Sequence, residues 1–157
     1  MNGSDPAPTV SNSSPLIALA QIGELELLLK LFPLLLVPPA VVRETAPSVT
    51  LPGWIKTPAV RGRADAPALR GSLGEGETEA IALALEVRAR WIVLDDRAAR
   101  QSAHALRLPV IGTLGILLAA KRRGWLPAVR PALAGLIRHG FHIAPELHQH
   151  VLADAGE

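Results

Sequence analysis

The spacing of hydrophobic and polar residues predicts a chain in which short strands alternate with helices. Continuous apolar runs of strand length are typical of parallel strands buried on both faces, and apolar residues at helical spacing indicate amphipathic helices. The predicted strands are Pro8–Ser11, Leu34–Val37, Trp54–Thr57, Trp91–Leu94 and Pro109–Ile111. The predicted helices are Pro15–Ile22, Glu24–Leu31, one from Pro39 through Glu44, Thr78–Arg90, Arg97–Leu106, one from Thr113 to Arg123, Val129–His139 and Pro145–Ala153. This alternation predicts an α/β fold with a parallel sheet and right-handed crossovers.

The same pattern predicts how the chain is divided. We expect residues 1–8 to be a flexible N-terminus and residues 9–157 to form one domain, because a chain of 157 residues can bury one continuous core but not two. Ser14 is expected to cap the first helix, with Pro15 in its first turn. The segment Ala46–Leu73 is rich in Pro, Gly and Arg, so we expect a mostly exposed, mobile excursion.

Composition narrows the class of protein. The sequence has no cysteine, which excludes disulfides, thiolate metal sites and a cysteine nucleophile and is typical of a reducing cytoplasm. The first residues do not have the pattern of a secretory signal. The apolar run Leu25–Val37 is interrupted by Lys30 and Pro33 and is shorter than the roughly 20 residues that span a bilayer. We therefore expect a cytoplasmic protein without a membrane segment.

The charge of the chain permits a polyanionic partner. The net charge is only +2, but thirteen of the sixteen basic residues are arginine. Clustered arginines on one surface favour the phosphate backbone of a nucleic acid, although most surface arginines are simply solvated. The arginines that we predict to form such a rim are Arg61, Arg63, Arg70, Arg97 and Arg100.

Polar residues follow several predicted strands, at the point where each strand ends. Ligands of open α/β sheets bind beyond the carboxyl ends of the strands, so side chains in these positions are candidates for a site. The candidates are Asn12, Glu44, Asp95, Asp96 and Thr113, joined by Glu77 at the start of a helix. Their oxygen atoms suit Mg²⁺ or Mn²⁺ rather than zinc. Each residue taken alone is also explained by helix capping or by a solvated surface, and only the combination predicts a metal site.

Five segments in this order resemble a PIN domain, and more narrowly the PIN-like subgroup of unknown function (DUF3368-like) that is often linked to toxin-antitoxin pairs. The resemblance covers residues 9 to 157. The segments are Val10–Ile17, Pro38–Glu44, Gly74–Ile81, Leu94–Arg100 and Gly112–Gly115.

The resemblance implies a three-layer α/β/α sandwich and a metal-dependent endoribonuclease whose acidic quartet falls on Asn12, Glu44, Glu77 and Asp96. Glu44, Glu77 and Asp96 would be the catalytic carboxylates, with Glu79 and Asp95 as competing ligands. The hydroxyls of Ser13, Ser14 and Thr113 would support the metal shell.

The general PIN pattern has aspartate at the position of Asn12, and an amide cannot act as a base. The resemblance therefore leaves two functions open: an active ribonuclease, or a weak or inactive PIN-like module that binds RNA or a partner protein. It also implies RNA as substrate, a small antitoxin as partner and a homodimer.

Overall fold

The computed structural model describes residues 6–61 and 73–157 of the protein. The strands are β1 (Thr9–Ser11), β2 (Leu35–Leu36), β3 (Ile55–Lys56), β4 (Trp91–Val93) and β5 (Val110–Ile111). The helices are α1 (Ser13–Gln21), α2 (Glu26–Leu31), α3 (Pro39–Thr45), α4 (Glu75–Glu86), α5 (Arg97–Ala105), α6 (Thr113–Arg122), α7 (Arg130–Arg138) and α8 (Pro145–Asp154). The flexibility predicted for residues 1–8 and Ala46–Leu73 falls in part on residues 1–5 and 62–72, which lie outside the described residues.

The five strands form one sheet in the order β3-β2-β1-β4-β5, and every neighbouring pair is parallel. Helices cover both faces, so the fold is the three-layer α/β/α sandwich. Alternate strand residues point to opposite layers: Val93 packs with α1, α2, α6 and α7, whereas Ile92 and Leu94 pack with α4 and α5. Both faces are apolar, which explains why the strands appear as continuous hydrophobic runs in the sequence.

Two helix boundaries differ from the prediction, and both differences have a local cause. The first helix begins at Ser13 with Asn12 at its N-cap, so the prediction that Ser14 is the cap was wrong. Proline is tolerated throughout the first turn because the amides there have no partner within the helix. Helix α4 begins earlier than predicted and ends at Glu86 rather than Arg90, because Arg88 adopts a positive φ of 53° and breaks the helix.

In the part of the chain that the structure describes, no helix is long and apolar enough to cross a membrane. Because all five strands are parallel, their carboxyl ends meet at one edge of the sheet. That edge carries the start of α1 after β1, the start of α5 after β4 and the start of α6 after β5. The candidates that follow these strands, Asn12, Asp95, Asp96 and Thr113, are therefore brought to a common edge.

Candidate active site at the strand ends

Asn12 lies where β1 gives way to α1, in the middle of the sheet. Its backbone N–H donates to the carbonyl of Val93 at 3.1 Å, which ties the end of β1 to β4. The residue is only 3 % exposed, yet the side chain makes no capping bond to the helix. Among the described residues, its Oδ1 is a buried side-chain oxygen without a hydrogen-bond partner. Because an unsatisfied buried acceptor costs about 1–3 kcal/mol, this oxygen is a candidate ligand atom.

Glu44 lies in the last turn of α3, and its carboxylate rests directly on the backbone of α4. A Cβ atom added to Gly76 would overlap the carboxylate of Glu44, so only glycine leaves room for the acid in this position. The pKa of Glu44 is raised, first by desolvation and then by the charges of Glu77 and Glu75, while Arg43 opposes the shift. Glu44 is therefore held among like charges that destabilise its ionised form.

Glu44 and Glu77 are one pair of neighbouring acids, and Glu77 and Asp96 are a second. The Oε1 atom of Glu77 accepts a hydrogen bond from the N–H of Gly74 at 3.0 Å. Burial raises the pKa of Glu77, the bond from Gly74 lowers it, and the charge and side chain of Asp96 raise it further. Asp96 caps α5, since its Oδ2 accepts from the N–H of Ala99 at 2.9 Å. Capping explains the place of Asp96 but does not relieve its repulsion with Glu77.

Glu77 thus interacts with both of the other acids. Within residues 6–61 and 73–157, no three Asp, Glu or His side chains converge into a complete metal cluster. The arrangement is instead two neighbouring pairs, beside an unpartnered oxygen of Asn12. Carboxylate and amide oxygens are the donors that Mg²⁺ and Mn²⁺ prefer, and a cation would relieve the repulsion. The residues present therefore fit a hard divalent ion.

The two competing acids have structural partners of their own. Glu79 is 3 % exposed, and its Oε1 accepts from the N–H of Ala40 at 3.0 Å, at the start of α3. Asp95 accepts two bonds from Thr113, one from the backbone N–H at 2.8 Å and one from the hydroxyl at 2.6 Å. Burial raises the pKa of Asp95, and the bonds from Thr113 lower it. These contacts favour Glu77 and Asp96 as the ligands, an assignment that stays a prediction.

The predicted hydroxyls and arginines are placed unevenly. Ser13 and Thr113 are buried and Ser14 is exposed. The Thr113 hydroxyl supports Asp95, as described above. Arg97 is exposed at the start of α5, next to Asp96. Arg100 is partly buried and donates to the carbonyl of Leu94 at 3.0 Å. Arg61 is exposed, and the predicted rim residues Arg63 and Arg70 lie outside the described residues.

Two residues of the site were missed in the sequence. Gly76 makes room for Glu44, and Gly112 lies so close to Asp95 and Arg100 that an added Cβ would stand 3.0 Å from the Asp95 carboxylate. Glycine inside the first turn of a helix is unfavourable without a reason, so the position of Gly76 between Glu75 and Glu77 was the available signal.

A five-stranded parallel sheet of order β3-β2-β1-β4-β5, covered by helices on both faces, defines a three-layer α/β/α protein. The chain belongs to the DUF3368 PIN-domain family, whose family model matches residues 8–157. Comparison with individually curated proteins found no match. The family agrees with the resemblance drawn from the sequence motifs, and PIN domains generally depend on a divalent metal.

Proposed function

We propose that this protein is a Mg²⁺- or Mn²⁺-dependent endoribonuclease of the PIN type. The observation that carries the proposal is the buried, unpartnered Oδ1 of Asn12 at the edge of the sheet, near acids whose burial and mutual proximity raise the pKa values of Glu44 and Glu77. Membership of the PIN-domain family supports a nuclease and RNA as its substrate. Polar groups left in this condition are expected where a ligand completes the site.

The residues have separate roles in this proposal. Glu44, Glu77 and Asp96 would hold the ion, and Asn12 would add a neutral oxygen. A bound divalent ion supplies a positioned water as nucleophile and neutralises charge on the phosphodiester. Arg97, one residue beyond Asp96, would bind a neighbouring phosphate of the RNA. Gly76 leaves room for the Glu44 carboxylate, and the hydrogen bonds from Thr113 would orient Asp95.

A second function is favoured by one specific observation. Asn12 occupies the central position of the crevice, between β2 and β4, and brings no negative charge. An amide oxygen can bind a metal but cannot accept the proton of a water molecule. A PIN-like module that binds RNA or a protein without cutting is therefore the alternative.

One assay separates the two functions. The purified chain should cleave single-stranded RNA with Mn²⁺, and Asp96→Asn should reduce the rate by about 100-fold or more while the fold is retained. Circular dichroism and the melting temperature check the fold. Glu146→Gln, an exposed acid on α8, is the matched control and should leave the rate unchanged. Binding of RNA without cleavage at any Mn²⁺ concentration would sink the enzyme proposal.

The role of Asn12 is tested by adding the missing charge. Asn12→Asp should raise the affinity for Mn²⁺, measured by isothermal titration calorimetry, because a carboxylate is a stronger ligand for a hard ion than an amide. It should also raise the cleavage rate if the missing charge limits the reaction. An unchanged affinity would mean that this position is not a ligand.

The partners suggested by the resemblance are also proposals. The protein would be the toxin of a toxin-antitoxin pair, restrained by a small antitoxin that contacts the segment Ala46–Leu73, part of which lies outside the described residues. It would also form a homodimer. Size-exclusion chromatography with light scattering tests the dimer, and suppression of the toxic effect by the neighbouring gene product tests the pair.

A further inference from the structure

A cavity of about 670 Å³ begins at Asp95 and extends away from the acidic crevice along strand β5. Its size falls within the range of ligand pockets, roughly 300–1,000 Å³. It is lined by residues of α5, β5, α6 and α8 and of the segment between α7 and α8. The residues that carry its chemistry are Arg97, Arg100, Gln101, His104, Phe141 and Leu147. The acids Glu44, Glu77 and Asp96 are not among its lining residues, so it is a neighbouring site rather than part of the crevice.

One wall of the cavity is polar and cationic. Arg97, Arg100, Gln101 and His104 follow one another at helical spacing and share one face of α5. Arg100 has a structural partner in the carbonyl of Leu94. Arg97 is exposed, and among the described residues it has no carboxylate partner. Its guanidinium is therefore available to an anion, at a position one residue from Asp96.

The rest of the lining is mostly apolar, apart from Asp95, whose carboxylate accepts two hydrogen bonds from Thr113, and His142. Val110 and Ile111 of β5 form part of the lining, together with Leu114 of α6. Phe141 packs against the hydrophobic core and also lines the cavity. Leu147 on α8 is 45 % exposed, which is high for a leucine. A cavity that combines the arginines of α5 with an aromatic and aliphatic surface matches a ligand that has an anionic part and a flat apolar part.

We propose that this cavity binds the nucleotide next to the cleaved bond, with a phosphate on Arg97 and the base stacked on Phe141. Single-stranded RNA is recognised by stacking of bases on aromatic rings and by cationic contacts to its phosphates. Gln101 and His104 offer hydrogen bonds to the edge of a base. This inference rests on the proposed function, because it adds a base-binding subsite to the same active site.

A peptide is the rival occupant, because β5 is the edge strand of the sheet and a peptide could add to it. Strand β5 has only two residues, and short edge strands are poor templates for strand addition. The cationic wall also favours a polyanion over a neutral peptide. The rival is therefore treated as an outcome of the test.

The test measures binding of a fluorescein-labelled, eight-nucleotide single-stranded RNA to the full chain by anisotropy, in EDTA so that nothing is cleaved. Phe141→Leu should weaken binding by about 5- to 150-fold, the range for losing one stacked base. Phe141→Trp should preserve binding, which a purely structural role of the ring would not predict. An RNA that lacks one base should bind the wild type less tightly when the abasic nucleotide falls at the position that stacks on Phe141. The intact and the abasic RNA should bind Phe141→Leu equally.

Charge is tested by a matched pair of arginine variants. Arg97→Gln should weaken binding and reduce the slope of log K against log salt by about 0.7, the value for one phosphate contact on a single strand. Arg122→Gln removes an exposed arginine at the end of α6 that does not line the cavity, and should leave the slope unchanged. Equal effects of the two substitutions would overturn the proposal.

Crosslinking of the wild type keeps the proposal falsifiable if a variant does not fold. RNA containing 5-bromouridine should crosslink to the tryptic peptide 139–157, which contains Phe141 and Leu147 and has no internal Lys or Arg. Crosslinks confined to other peptides would overturn the proposal. The proposal would also be overturned if an acidic peptide, decaglutamate, bound the protein and its binding depended on Phe141 as strongly as RNA binding does. If RNA bound in this cavity but was not cleaved with Mn²⁺, only the proposed nuclease activity would be overturned. If RNA was cleaved but its binding did not depend on Phe141, only the proposed subsite would be overturned.

Discussion

The carboxylate of Glu157 and the carboxylates of the acidic crevice have opposite surroundings. The side chain of Glu157 accepts hydrogen bonds from the backbone N–H groups of Val129 and Arg130 at 2.6 and 3.1 Å and from the Lys121 ammonium at 3.0 Å. These donors lower its pKa to about 2. In the crevice, burial and neighbouring acids raise the pKa values of Glu44 and Glu77.

The difference shows how the surroundings of an acid indicate its role. The donors around Glu157 favour its ionised form, so its charge joins the end of α6 to the start of α7 and supports the fold. Burial and like charges disfavour the ionised forms of Glu44 and Glu77, and the hydrogen bond that Glu77 accepts from Gly74 offsets this only in part. Acids in that condition reduce stability unless they bind something, which is expected of a site kept for function.

The largest expected effect comes from displacing Glu44 without touching a charge. Gly76→Ala would push the Glu44 carboxylate out of its place and should reduce Mn²⁺ affinity by about 10- to 100-fold, as loss of a residue supporting a ligand does. The melting temperature should not fall, because alanine favours a helix over glycine and the displaced group is the end of a flexible side chain. Titration calorimetry and thermal melts measure the two quantities.

The double variant provides the control. In a Glu44→Ala background, Gly76→Ala should change Mn²⁺ affinity no further, since the carboxylate that it displaces is already absent. A further loss of affinity in the double variant would show that Gly76 acts on the site through something other than Glu44.

The next largest effect is expected at Asp95, the acid of the crevice that accepts hydrogen bonds from Thr113. Thr113→Val keeps the shape of the side chain and removes the hydroxyl that donates to Asp95 at 2.6 Å. We expect a loss of about 1–2 kcal/mol in the free energy of unfolding at pH 7, because a largely desolvated carboxylate loses a donor. Urea denaturation measures it. Thr78→Val, which removes an exposed hydroxyl, should change stability by less than about 0.5 kcal/mol.

A smaller effect is expected at Glu157, and it should depend on pH. The folded state binds fewer protons at Glu157 than the unfolded state between about pH 4.5 and pH 2, so its contribution is complete above pH 4.5 and is lost as pH falls toward 2. Glu157→Gln should therefore lower the melting temperature by about one to two degrees at pH 7, since Glu157 is exposed and solvent screens its charge, and have little effect near pH 2. If the difference in melting temperature between the wild type and Glu157→Gln persisted unchanged at pH 2, an electrostatic contribution of Glu157 would be excluded.

Much of the fold was available from the sequence, because its information is local. The apolar runs Leu34–Val37 and Trp91–Leu94 located β2 and β4, and the other predicted segments, Trp54–Thr57 among them, contained the remaining strands of the described residues. Parallel topology then brought Asn12 and Asp96 to one edge. The choice between Glu77 and Glu79 could not be made in this way, since it depends on how α4 packs against the start of α3, where Glu79 meets Ala40.

The position of Phe141 was equally hidden from the sequence. It lines the cavity because the segment after α7 lies beside residues of α5, β5 and α6. Such contacts join residues far apart in the chain and leave no periodic signal. Local patterns therefore predicted which residues end each strand, while the partners that give each acid its role required the packing.

The smallest expected effect tests the crevice with the sign opposite to that of Glu157. Because the pKa of Glu44 is raised, the folded state binds more protons there than the unfolded state above the ordinary value of 4.5, and stability falls as pH rises through this window. Glu44→Gln should therefore raise the melting temperature by about a degree at pH 7, since Glu44 is exposed and its repulsion is screened. The gain should vanish below pH 4. Saturating Mn²⁺ should raise the melting temperature of the wild type more than that of the variant, because only a folded, intact site binds the ion. A Glu44→Gln chain that is less stable than the wild type at pH 7 would place Glu44 with Glu157, among the acids that hold the fold together.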